Sequence, residues 1–161
     1  MEREYELYHY GVKGMRWGVR RAQKKLAKAT TKEDRDKAIA ALKKHKEKGS
    51  VKIEKLKKQQ PKLEKTLEEK IQRNEPRAAK LNAKAARLTM SANGLFVSER
   101  KAASRLAKAT KIKQEANYLK AMTEKAKAEL ESNKSLIKAF ETEIRNIDTA
   151  LVNAGKRKLK L

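Results

Sequence analysis

A regular heptad pattern runs through LESNKSLIKAFETEIRNIDTAL, residues 130–151. Its apolar residues, with one asparagine among them, are spaced alternately three and four positions apart: Leu130, Asn133, Ile137, Phe140, Ile144, Ile147 and Leu151. This heptad repeat places a narrow apolar stripe along an α-helix and is typical of coiled coils. Asn133 takes a stripe position, where a polar residue can set register or oligomeric state; the alternative is that it faces solvent.

The same helix extends toward the N-terminus, because residues 98–153 contain neither Pro nor Gly. An earlier stripe precedes it: Ile53, Leu56, Leu63, Leu67, Ile71, Ala78, Leu81, Ala85 and Leu88. Between the two stripes lies Asn93-Gly94, a pair that tolerates positive φ and favours a chain reversal. The sequence therefore predicts a long helical hairpin over 51–153 with its turn near 92–97, and Pro61 and Pro76 are expected to kink or break the first arm.

The segment before the hairpin, 22–50, is predicted to be a basic linker and a short helix. Thr30-Thr31 followed by Glu33-Asp34 resembles a capping box, and Gly49 is suited to the residue after a helix C-terminus. Residues 154–161 form a basic tail. The expected fold is all-α: an elongated, coiled-coil-like antiparallel hairpin with a short extra N-terminal helix and a non-helical leader, 1–21. The seam could close within one chain or between the copies of a homo-oligomer.

The residue content argues against catalysis. The chain of 161 residues has no cysteine, which excludes disulfides, zinc fingers and thiol nucleophiles. Its two histidines lack ligand-like spacing, and His45 in KKHKEK reads as part of a solvated helix face. Phosphate-binding loops and nucleophile elbows are absent from the sequence. We expect a non-enzymatic protein with no cofactor, no metal, no small-molecule substrate, no secretory signal and no transmembrane segment.

The charge is strongly positive and unevenly distributed. The formal net charge of +23 implies an anionic partner. Residues 77–113 hold ten basic side chains and one acid, Glu99, whereas 114–153 hold six basic and seven acidic ones. No base-reading module is recognisable, so we expect non-specific, salt-sensitive contacts to nucleic-acid phosphates. The residues predicted to make them are Arg77, Lys80, Lys84, Arg87, Arg100, Lys101, Arg105, Lys108 and Lys111.

The leader contains YHYGVKGMRWGVRR, residues 8–21, with three of the six glycines and the only tryptophan. Glycine allows a partner to approach the backbone closely, and Trp and Tyr are common anchors of binding interfaces. The pattern predicts a docking peptide, although the leader could instead fold back onto the hairpin as a cap. The predicted docking residues are Tyr8, His9, Tyr10, Gly11, Gly14, Arg16, Trp17, Gly18 and Arg20.

Residues 9–21 resemble a short element of proteins encoded by phages and prophages, mainly of Gram-positive bacteria, with forms close to HYGVKGMKWGVRR. The departure from that form is Arg16, where Lys is usual. The resemblance implies a virion-associated protein that docks on a capsid, portal or tail protein. It would reside in the virion and, during assembly, in the host cytoplasm. The alternative is a host-directed effector that binds host nucleic acid or an acidic host protein surface.

Overall fold

A computed structural model describes residues 17–94 and 96–156, apart from the Trp17 side chain. The described chain forms three helices and no strand: α1 (Trp17–Lys28), α2 (Lys32–Ala92) and α3 (Glu99–Lys156). The two long helices pack against each other in antiparallel fashion, which confirms the all-α helical hairpin. The predicted docking residues Tyr8, His9, Tyr10, Gly11, Gly14 and Arg16 lie outside the described residues, as do positions 157–161 of the predicted tail.

The N-terminal helix differs from the expectation. α1 begins at Trp17, so the last five residues of the predicted non-helical leader are helical. Val19, Ala22 and Leu26 recur at helical spacing, and burial of this stripe offsets the roughly 1 kcal/mol that a helical glycine costs at Gly18. The short helix expected within 22–50 is instead the first part of α2, which Thr31 caps by accepting a hydrogen bond from the Asp34 amide at 3.1 Å.

Helix α2 runs without a break through Gly49, Pro61 and Pro76, so the expected end at Gly49 was wrong and neither proline breaks the helix. Gly49 is buried, and a Cβ atom there would lie 3.4 Å from Ile144 Cγ1. Both prolines lie on the exposed side of the helix. The carbonyl groups that lose their helical donors are therefore accessible to water, which lowers the cost of each proline.

Residues 17–59 and 133–156 form the three-helix unit. Its core joins Val19 and Ala22 of α1, Leu42 of α2 and Ile147 of α3, all at most 5% exposed. Asn133 is 6% exposed and donates from Nδ2 to the Leu56 carbonyl at 3.5 Å. This places it in the seam, so the solvent-facing alternative was wrong.

Residues 60–132 form the two-helix unit. Its seam is built mainly from alanine: Leu130 is its buried leucine, and the buried alanines are Ala78, Ala85, Ala92, Ala109, Ala116 and Ala126. Ile71, expected in the stripe, is 37% exposed, whereas Asn74 is 8% exposed and donates to Thr123 Oγ1 at 3.3 Å. Because alanine seams have little bulk, this unit relies on long, shallow contact between its helices.

Candidate nucleic-acid interface

The basic residues of the two-helix unit follow its seam in register. On α2, each of four basic residues comes one position before a buried or half-buried one: Arg77, Lys80, Lys84 and Arg87 precede Ala78, Leu81, Ala85 and Leu88. On α3, Lys101, Lys108 and Lys111 precede Ala102, Ala109 and Ile112 in the same way. The heptad spacing therefore gives each helix a basic row along one edge of the seam.

The two basic rows lie on the same side of the helix pair. In an antiparallel helix pair related by a two-fold axis, the same heptad position of both helices lies on the same face of the pair. The basic residues of both rows occupy the same place, one residue before a seam residue, so they share a face. One contact shows this directly, because Arg77 Nη2 lies 2.7 Å from Glu115 Oε1, and Glu115 itself precedes the buried Ala116. We call this surface the basic face; it comprises Arg77, Lys80, Lys84, Arg87, Lys101, Lys108 and Lys111.

The opposite edge of the same seam is nearly uncharged. Between residues 77 and 113, the positions that follow a seam residue carry small, polar or apolar side chains and one lysine: Ala79, Asn82, Ala86, Thr89, Ala103, Leu106, Thr110 and Lys113. The excess of positive charge in this segment follows from the sequence, but its concentration on one side was missed. The seam positions of α2 coincide with the predicted stripe at Ala78, Leu81, Ala85 and Leu88; the missing information was the register of α3, which its alanine-rich start marks only weakly.

Few carboxylates neutralise the positive charges of the basic face. All seven of its residues are exposed, and within the described chain only Arg77 pairs with a carboxylate. At an exposed site such a pair contributes little stability, so Arg77 can exchange its partner for a phosphate at small cost. Neighbouring basic residues on α2 are three or four positions apart, which places their Cβ atoms about 5–6 Å from each other. At this spacing they can contact successive phosphates of one strand. The surface is therefore suited to a polyanion rather than to a single small anion.

Two of the predicted contact residues lie off this face. Arg100 stands two positions before the half-buried Ala102, on the outer side of α3. Arg105 is half-buried at a seam position and donates from Nη1 to the Ser91 carbonyl, one of the carbonyls left without a helical donor at the end of α2. Arg105 thus fastens the turn, and its charge is less available to a ligand.

The end of the predicted docking peptide is packed against the protein. A Cβ atom at Gly18 would lie 2.6 Å from His45 Cε1, so the imidazole ring occupies the space that a larger residue would need. His45 is half-buried, which corrects the expectation of a solvated helix face. Val19 is fully buried, while Arg20 is half-buried. Gly18, Val19 and Ala22 therefore pack within the three-helix unit, as the fold-back alternative expects for this part of the leader.

The described residues offer no other kind of site. They contain no group of histidine and acidic side chains that could hold a metal ion. Within the same residues, none of the helices has an apolar run of the length needed to cross a membrane.

Residues 2–24 match a family of unknown function, DUF7211. The match takes in all of the resemblance described above, residues 9–21, and reaches into α1, including Gly18, Val19 and Ala22. No curated protein and no solved structure matches the chain significantly. The basic face, in residues 77–111, lies outside this match, so any inference about it rests on the geometry described above.

Proposed function

We propose that this protein is a non-enzymatic, virion-associated phage protein whose basic face binds nucleic-acid phosphates without sequence preference. The observation that carries the binding proposal is the one-sided register of the basic residues. Unpaired cations on one face repel one another and add no packing contacts to the fold. Such an arrangement therefore does not stabilise the protein and is better explained by binding of an anionic ligand. The phosphate backbone supplies the complementary charge at the matching spacing, and binding releases its condensed counterions.

Association with the virion is proposed from the leader, whose sequence resembles elements of phage proteins. Residues before Trp17 would dock on a capsid, portal or tail protein, while α1 connects them to the helical body. Mass spectrometry of purified particles tests this directly. Detection of the chain in particles supports the proposal; a chain abundant in infected cells but missing from particles would favour the host-directed alternative, with host nucleic acid or an acidic host protein surface as its target.

The binding proposal is tested by charge reversal with a matched control. The basic-face variant carries Lys80→Glu, Lys84→Glu and Lys108→Glu. The control variant carries Lys113→Glu, Lys120→Glu and Lys127→Glu, whose exposed side chains each follow a seam position on the opposite edge of α3. Both variants change the net charge equally. Fluorescence anisotropy with a mixed-sequence DNA duplex then compares their affinities at several salt concentrations.

We expect the basic-face variant to bind much more weakly than the control variant. If each reversed lysine removes one phosphate contact, the slope of log K against log salt becomes shallower by about three, because each contact to duplex DNA contributes about 0.9. Equal losses in the two variants would contradict a localised basic face, since they would reflect net charge alone. Circular dichroism verifies that both variants stay helical.

A further inference from the structure

The turn of the two-helix unit carries a fully exposed aromatic ring. Phe96 lies between α2 and α3 and is 101% exposed. No other aromatic residue occurs between residues 18 and 117 of the sequence. The second phenylalanine of the chain, Phe140, is instead half-buried, with Lys52 Nζ 5.7 Å from its ring centroid. The exposed ring contributes no burial to the fold, and its place at the turn, within the basic segment 77–113, leaves it open to a ligand that the neighbouring cations attract.

The backbone around Phe96 is held in place by hydrogen bonds. The Val97 amide donates to the Gly94 carbonyl at 3.2 Å, and the Asn93 amide donates to the Thr89 carbonyl at 3.3 Å. On the far side, the Ala102 amide donates to the Ser98 carbonyl at 2.9 Å at the start of α3. Hydrogen bonds therefore restrain the backbone at Asn93, Gly94 and Val97, close to the ring, which reduces the conformational entropy lost there when a ligand covers it.

We propose that Phe96 stacks on an unpaired base, so that the two-helix unit prefers single-stranded or locally opened nucleic acid over intact duplex. This inference rests on the proposed function. Aromatic rings beside a basic surface bind single strands in this way, because every base offers a π-face while the cations hold the backbone. Lys101 and Arg87 of the basic face lie within nine residues of Phe96 on either side of the turn.

The dimensions of the hairpin favour an open strand. Each helix is about 10–12 Å wide, and packed helices lie about 8–10 Å apart, so the pair is nearly 20 Å across. The major groove of B-DNA is only about 12 Å wide and the minor groove about 6 Å. A ring at the end of such a pair meets the outer backbone of a duplex, whereas an unpaired strand can turn its bases toward it.

A lipid surface fits the turn less well. Interfacial segments insert a continuous apolar face into the bilayer. Among the described residues around the turn, the large apolar side chains that are mainly exposed are Phe96 and Met90, the latter 76% exposed. Two scattered side chains do not make such a face. Binding to a membrane is therefore not proposed, and binding to anionic vesicles is one of the results that would contradict the proposal.

The test uses the full-length protein, an oligo-dT strand and a mixed-sequence duplex of equal length. Phe96→Leu keeps an apolar side chain without the aromatic ring, and Phe96→Tyr keeps the ring. Met90→Ala removes the neighbouring exposed apolar side chain and serves as the control. Because Phe96 and Met90 are exposed, all three variants should retain wild-type thermal stability.

We expect Phe96→Leu to weaken oligo-dT binding about tenfold and to leave duplex binding unchanged, with Phe96→Tyr and Met90→Ala close to wild type. Wild-type oligo-dT affinity in Phe96→Leu would overturn the inference, as would an equal loss for strand and duplex. Tighter wild-type binding to phosphatidylglycerol vesicles than to either DNA, lost in a Phe96→Ala variant but kept in Phe96→Leu, would overturn it in favour of a membrane. The basic-face variant separates the two proposals: if it still loses duplex affinity, only the role of Phe96 fails.

Discussion

The three-helix unit and the two-helix unit use the same residue types in different ways. The three-helix unit buries branched side chains, with Val19, Leu42 and Ile147 fully buried, and pairs surface charges such as Lys46 with Asp148 at 2.6 Å. The two-helix unit joins its helices through alanine and leaves its basic face almost unpaired. Burial of bulky side chains stabilises the three-helix unit, whereas the two-helix unit has a thinner seam beside an exposed row of basic side chains. Mutations that act on one unit and spare the other therefore test the comparison.

The largest expected effect is on the three-helix core. Leu42→Ala should lower the free energy of unfolding by about 2–5 kcal/mol, because it removes a fully buried side chain and leaves a cavity among three helices. The matched control, Leu106→Ala, truncates a leucine of the two-helix unit that is 41% exposed and should cost less than about 1 kcal/mol. Urea denaturation measures both. Equal costs would mean that the bulky core does not dominate stability.

The second prediction concerns the stability of variants at two buried asparagines, Asn133 and Asn74. Asn133 Oδ1 is buried and has no hydrogen-bond partner among the described residues. Asn133→Leu should therefore raise stability by about 1–2 kcal/mol, because the unsatisfied atom is replaced by an apolar group in a heptad seam. Asn74→Leu is the control and should gain less, since Asn74 donates to Thr123 Oγ1. The prediction is wrong if Asn133→Leu destabilises the protein, which would point to an essential polar contact.

The smallest effect concerns the contact of α1 with α2. Gly18→Ala should destabilise the protein by about 1 kcal/mol, because the new methyl group would collide with the His45 ring despite the better helix propensity of alanine. In a His45→Ala background, the same substitution should be neutral or stabilising. A double-mutant cycle followed by thermal denaturation measures this coupling. Additive effects would show that the ring moves aside freely and that Gly18 is not needed for packing.

The sequence predicts the helical hairpin well, because heptad spacing is a direct record of which residues face a partner helix. It fails where packing overrides local preference. Gly49 and Pro61 read as helix breakers, yet α2 continues through both because its neighbouring turns pack on α3 or leave the lost hydrogen bonds exposed to water. Gly18 reads as part of a non-helical leader, but burial of Val19 makes it helical.

The candidate site was predicted in part. The segment that holds it follows from the charge count, since ten basic residues and one acid stand in 77–113. Which of them share a face depends on the register of the seam in both helices, and on α3 the half-buried seam position is Arg105, while the neighbouring Leu106 is 41% exposed. Arg105 could not be separated from its neighbours by sequence, because its bond to the Ser91 carbonyl depends on how the two helices meet.

Whether the basic face binds phosphates is decided by the salt dependence of duplex binding between about 50 and 200 mM salt, measured for the wild-type, basic-face and control proteins. We expect a steep slope of log K against log salt for the wild-type and control proteins. The slope should be shallower by about three for the basic-face variant, which carries Lys80→Glu, Lys84→Glu and Lys108→Glu together. Three parallel lines would contradict it, because they would show that phosphates do not contact the basic face.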